Sequence, residues 1–158
     1  MEQDITLSLQ DAESLSQRIL HNAGFNTAHA TAITRSVVAA QRDECHSHGL
    51  YRLLDCVKTA ERGGLDSQAE PEITDQAPGV VKIDARRGCS LLSFEIGKAH
   101  LKEKAERKGI AVLAINNCFH FSALWSEVEA LSDMGLAGLA MNPTHAFVAP
   151  TGLSLIHI

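Results

Sequence analysis

No apolar run in this 158-residue chain approaches the length needed to cross a bilayer, which weighs against a membrane protein. Nor is there a basic face: the net charge is -5 and the pI near 5.9, so nothing points to a nucleic-acid partner. The one basic cluster, "KEKAERK" from Lys102 to Lys108, is interleaved with acids and reads as a solvated helix face. Cys45, Cys56, Cys89 and Cys118 form no Cys-x-x-Cys pair, and "MEQDITLSLQ" lacks the positive start and apolar stretch of a secretory signal. Reduced thiols in a cytoplasmic protein are therefore expected. There is no Gly-x-Gly-x-x-Gly after a strand and no Walker-type loop, so an ordinary Rossmann or P-loop site is not available and any dinucleotide must be held in another way. Internal repeats and low-complexity stretches are also missing. With 45% apolar and 21% charged residues, the composition is that of one globular domain, or part of something larger.

What is present alternates between helix and strand. After "ITLSL", a short strand candidate, Ala12, Leu15, Ile19, Leu20 and Ala23 recur at helical spacing and stop at Gly24. A second helix is predicted from a cap at Asn26 or Thr27, with Ala30, Ile33, Val37 and Ala40 facing the core. Gly49 breaks it from a third pattern, Leu50, Leu53, Leu54 and Val57, which "RGG" (Arg62 to Gly64) terminates. Polar, Pro- and Gly-containing sequence from Leu65 to Gly79 marks a boundary, with a weak strand "PEIT", followed by the strand "GVVKID". A long helix, Ser90 to Gly109, leads to "IAVLAI" (Ile110 to Ile115), predicted as a buried strand; "LWSEVEALSDMG" and "LAGLAMN" repeat the alternation as helix and buried strand. The fold class is thus mixed α/β: a helical segment over residues 1–70, then an α/β part over 71–152. Loops after both buried strands, "NNCFHFS" and "PTHAFVAPTG", are where such folds place binding groups.

The first candidate chemistry lies in "DECHSHGLYRL", Asp43 to Leu53. If the chain is helical there, His48 and Arg52 stand four residues apart, within roughly 40° on the helix, so an imidazole and a guanidinium face one pocket. One donates a proton near neutral pH and the other grips a carboxylate. The blander alternative, two histidines flanking a helix break by chance with Arg52 as surface charge, is favoured by spacing alone. Cys45, His46 and His48 allow a zinc reading, though three ligands within four residues crowd one ion, and Cys45 allows a nucleophile reading, against which stands a structural cysteine. No metal is expected. In "NNCFHFSALW", His120 and Ser122 could supply donors to a phosphate and Phe121 or Trp125 a surface for a flat ring; the residues alone favour the alternative, a core-packing turn with Ser122 capping the helix.

Together "RDECHSHGLYRL", "NNCFHFSALW" and "NPTHAFVAPTG" closely resemble the malate/L-lactate dehydrogenase family of non-Rossmann NAD(P)-dependent oxidoreductases, over Ile5 to Gly152. Within it, "CHSHGLYR" and "HFSALW" are most similar to the Δ1-piperideine-2-carboxylate/Δ1-pyrroline-2-carboxylate reductase branch. The resemblance implies an imine reductase that passes hydride from NADPH, with NADH as the other option, to C2 of a cyclic imino acid. It implies His48 as proton donor, Ser47 as the hydroxyl of its charge relay, Arg52 as the binder of substrate carboxylate, and His120, Phe121, Ser122, Ala123 and Leu124 as the cofactor-binding segment. It also implies the start of a non-Rossmann cofactor-binding domain in residues 71–152 and a homodimer for the full-length protein.

The family pattern continues beyond this chain to a further substrate threonine, more cofactor contacts and the aspartate of the relay. Here it stops at Gly152, and residues 153–158, "LSLIHI", match the in-frame reading of a sequencing transposon's mosaic end. The expectation is an incomplete enzyme with a non-native tail, inactive as a 158-residue polypeptide. Three alternatives stand beside it: a sister branch reducing a 2-keto acid through the same His48 and Arg52, a small metal-binding or regulatory module around Cys45, His46 and His48, and a purely structural helical scaffold.

Overall fold

A computed structural model describes residues 5–143. The first helix, α1 (Leu9–Asn22), begins where Ser8 accepts the Asp11 amide at 3.1 Å, and the chain leaves it through Gly24 at φ +82°. The strand predicted in "ITLSL" does not form. A local cap satisfies the backbone there, whereas a strand would need a neighbour to pair with. Helix α2 (Thr27–Arg42) starts at the predicted cap, Asn26, whose side chain accepts the His29 amide at 2.9 Å. Its expected core positions Ala30, Ile33, Val37 and Ala40 are all buried.

A 3-10 turn, His46–His48, separates α2 from α3 (Arg52–Glu61). Because α3 begins only at Arg52, its buried side is Leu53 and Cys56, and Leu54, predicted to face the core, points to solvent. Strands β1 (Glu72–Ala77) and β2 (Val80–Asp84) form an antiparallel hairpin, longer than the weak strand predicted from "PEIT". Helix α4 (Ser90–Lys108) runs back to Gly109, which closes it at φ +79°, a value open to glycine without strain. Strand β3 (Val112–Asn116) then pairs parallel with β2, Val80 opposite Val112 and Ile83 opposite Ile115, giving the order β1-β2-β3. Gly97 lets α4 lie close on this sheet, since a Cβ there would meet Ile83 Cδ1 at 2.7 Å and Leu113 Cδ1 at 2.8 Å. Helix α5 (Trp125–Asp133) follows.

The main core joins α1, α2 and α3 to the first turn of α4 and to Phe121, so it spans the change from helices to strands near residue 70. A smaller cluster of Phe94, Leu101 and Leu131 packs with Leu113 and Ile115 under the sheet. Two predicted strands differ from expectation. The run Ile110 to Ile115 pairs on one side only among the described residues, and Val112 is 53% exposed. "LAGLAMN" forms no strand among the described residues, leaving Leu139 and Met141 more than 80% exposed, at 81% and 82%. Apolar sequence of strand length is buried only when other elements cover it. The "KEKAERK" face is as expected, with Lys102–Glu106 and Arg107–Glu103 pairs one turn apart and Lys104 reaching Asp75. Among the described residues no helix is long and apolar enough to cross a membrane. All of the predicted loop "PTHAFVAPTG" after Pro143, and residues 153–158, lie outside the described residues.

Candidate active site

The turn that carries Ser47 and His48 is built by Gln41 on α2. Its Oε1 accepts the Leu50 amide at 3.2 Å, and its Nε2 donates to His46 Nδ1 at 3.0 Å. Gly49 fits against it because a Cβ would come within 2.3 Å of that same Oε1. His46 is thereby turned to Gln41, and among the described residues no three His, Cys, Asp or Glu side chains converge on a metal position.

Ser47 Oγ lies 2.9 Å from His48 Nδ1, with Cys45 Sγ at 3.7 Å from the same nitrogen. Both contacts fall on Nδ1, which leaves Nε2 for a proton transfer. His48 and Arg52 are not stacked on one helix as the spacing argument supposed: the 3-10 turn ends at His48, Gly49 is extended at φ -79°, ψ -154°, and α3 starts at Arg52. The turn nevertheless brings them near each other. Partial burial lowers the His48 pKa, and the charges of Arg52 and of His120, more than seventy positions away in sequence, lower it further.

Arg52 lies 5.5 Å over the Tyr51 ring and donates from Nη1 to Asp55 at 2.9 Å. Its Nε is buried with no partner among the described residues. A buried N–H without an acceptor is costly, and a carboxylate brought to the guanidinium is the kind of group that would satisfy it.

The segment after β3 is held by side chains as well as by the sheet. His120 Nδ1 lies 2.8 Å from Ser90 Oγ and its Nε2 3.0 Å from the Ser122 carbonyl. Ser122 is buried and donates to Glu127 at 3.3 Å rather than capping α5; Ala123 accepts from Ser126, and Leu124 stands at the start of α5 with no side-chain cap. Phe121 is 6% exposed and belongs to the main core, 6.0 Å from the Phe119 ring, so its ring packs inward instead of presenting a surface for a flat ligand. Gln41 and Ser90 were not legible as site residues: each acts through a partner, nine and thirty positions away, that no periodicity connects to it. Two concavities lie elsewhere, about 600 Å³ between the β1–β2 hairpin and α4 and about 300 Å³ among α2, α4 and α5; neither is lined by His48, Arg52 or His120.

The four thiols are free. Burial suppresses the acidity of Cys56 and pushes Cys89 up to about 12, which makes both packing residues; Cys45, half-buried, stands against the Ser47–His48 pair.

A model of the malate/L-lactate dehydrogenase family matches residues 7–154. The chain belongs to that family. Among its relatives, Δ1-pyrroline-2-carboxylate reductase of Pseudomonas fluorescens is 52% identical over 152 residues, covering 96% of this chain and 45% of the relative. The Δ1-pyrroline-2-carboxylate/Δ1-piperideine-2-carboxylate reductase of Pseudomonas aeruginosa is 49% identical over 148 residues, covering 94% and 44%. In structure the chain is similar to Δ1-piperideine-2-carboxylate reductase from Pseudomonas syringae pathovar tomato, with TM-score 0.80 and 31% identity, covering 84% of this chain and 40% of that one. Malate dehydrogenase of Pyrococcus horikoshii, at TM-score 0.76 and 21% identity, shares the fold, covering 83% and 38%. The chain thus spans under half the length of the relatives it matches.

Proposed function

We propose that these residues are the N-terminal part of a reductase of cyclic imino acids, converting Δ1-piperideine-2-carboxylate to L-pipecolate and Δ1-pyrroline-2-carboxylate to L-proline with NADPH. The observation that carries this reading is the Ser47–His48 contact at Nδ1, with Nε2 left without a partner, and the buried Nε of Arg52 without an acceptor, among the described residues. The similarity to named pyrroline- and piperideine-carboxylate reductases supports the substrate class.

When bound, the nicotinamide supplies the hydride that reduces C2 of the ring imine. Arg52 holds the carboxylate on that carbon. As the C=N π pair moves onto nitrogen, His48 gives it the Nε2 proton, while Nδ1–H stays donated to Ser47 Oγ and keeps the ring aimed. A lowered pKa makes His48 a stronger acid but reduces its protonated fraction at neutral pH; pairing of Arg52 with a substrate carboxylate removes part of that depression. His120, Phe121, Ser122, Ala123 and Leu124 form the cofactor segment. The donor chemistry fits in part: the uncapped start of α5 leaves amides open to an anionic group, although Glu127 in the same turn opposes one.

On this reading residues 1–70 carry the substrate-side groups and 71–152 begin the cofactor-side domain, with residues 153–158 a non-native tail. The whole protein is a cytoplasmic homodimer. The test is turnover by the uninterrupted protein on a panel of both cyclic imino acids, pyruvate and oxaloacetate, each with NADPH and NADH. Imino-acid reduction with NADPH at the highest kcat/KM is expected. Faster reduction of a 2-keto acid would move the assignment to the sister branch.

A further inference from the structure

We infer that Ser90 is a positioning residue for His120, its hydroxyl holding the imidazole as the Nε2–H tautomer and so shaping the segment His120–Leu124; this rests on the cofactor role proposed for that segment. Nε2 lies 3.0 Å from the Ser122 carbonyl, which can only accept, so Nε2 carries hydrogen. In the neutral ring Nδ1 then offers a lone pair, and the group 2.8 Å away, Ser90 Oγ, must donate to it. The two bonds pin both ends of the ring. One ties it to the start of α4, and the other closes a tight loop from His120 to the carbonyl two residues on.

Helix capping does not account for Ser90. The cap position of α4 is Cys89, which makes no side-chain cap bond, while Ser90 is the first helical residue and spends its hydroxyl on a residue thirty positions later. Ser90 is itself a fixed platform: it is 6% exposed, its amide donates to the Phe119 carbonyl at 2.9 Å, and the Phe119 amide donates to Gly88 at 2.9 Å. A hydroxyl on so immobile a support loses little freedom in fixing a tautomer, the usual way an outer residue tunes an imidazole that acts on a ligand.

The experiment uses the uninterrupted protein with ¹⁵N-labelled histidine, His120 being assigned by the signal lost in His120→Asn. Wild-type His120 is expected as the Nε2–H tautomer, and Ser90→Ala as a mixture. In turnover, Ser90→Ala should raise KM for the dinucleotide roughly tenfold, with KM for the imino acid nearly unchanged, and Ser90→Thr should restore both readouts. In a His120→Ala background, Ser90→Ala should add nothing. A wild-type Nδ1–H tautomer, equal rises in both KM values, or additive effects in the double variant would overturn the inference. If Ser90→Ala does not fold, the wild-type tautomer still decides. The spectrum needs neither cofactor nor substrate: a locked Nε2–H ring in a protein that ignores imino acids would sink the functional reading and leave the role of Ser90 standing.

Discussion

The helical layer and the sheet treat their apolar residues in opposite ways. In α1 to α3 the periodic positions close on one another, and Leu20, Ile33, Val37 and Cys56 have no exposed surface. Around the sheet Val112 of β3 and the equally apolar Ile110, Leu139 and Met141, which lie in no strand, face solvent, and β3 pairs on one edge only among the described residues. A helix satisfies its own backbone and needs one face covered, whereas a strand needs a partner on each edge and a layer on each face. Among the described residues the helices are therefore covered on the face they need, and β3 is covered only in part. The groups proposed for proton transfer and carboxylate binding, Ser47, His48 and Arg52, sit in the closed half. The segment proposed for the cofactor follows β3, with Phe121 turned into the main core.

That division can be broken most forcefully at His48. In the uninterrupted protein, His48→Ala should lower kcat on imino acids by about 10²–10⁴-fold, with KM for the dinucleotide little changed; normal turnover would remove the proton donor from the helical half. Wild-type reduction should also weaken as pH rises, because the protonated donor is lost through a His48 pKa that lies below its ordinary value.

A smaller effect compares the two cores directly. Ile33→Ala, in the closed half, should cost about 3 kcal/mol by urea unfolding. Val112→Ala, at the exposed edge, should change stability by less than about 0.5 kcal/mol. Equal losses at the two positions would mean that β3 is covered after all.

Smaller again is a pH effect from His29, buried on α2 with Nε2 donating to the Ala69 carbonyl at 3.1 Å and Nδ1 without a partner among the described residues. Burial lowers its pKa below 6.5, so the unfolded chain takes up the proton more readily. The contribution is full above the unfolded value and is lost as pH falls through the folded one. Unfolding midpoints between pH 7.5 and 5 should fall for wild type and flatten in His29→Gln; an unchanged slope in the variant would exclude His29 as the cause. The smallest change in stability is expected for Val112→Lys, which should nevertheless reduce concentration-dependent self-association in size-exclusion chromatography, since a charged edge strand resists pairing with another copy.

How much was legible follows the same division. Asn26 as a cap, Gly109 as a stop and the ion-paired face of "KEKAERK" were readable because each acts within one or two helical turns of its partner. Ser47 and His48 were readable as a motif and are brought together as adjacent residues. The helical i, i+4 geometry for His48 and Arg52 was not, because the extended Gly49 interrupts the register that the spacing assumed. Core packing of Phe121, the reading that the residues alone favour, is what the main core shows, whereas Ser122 does not cap α5.

By itself, then, the sequence determined the helices with their caps and stops, the α/β alternation, and the family, through motifs whose residues lie close together along the chain. Tertiary structure decided which apolar strands are covered, that Gln41 builds the turn under His48, and that Ser90 meets His120. The reason is range. Capping and periodicity act over a few residues, while burial, hydrogen bonding across thirty positions and the field at an imidazole depend on which distant elements the fold brings alongside.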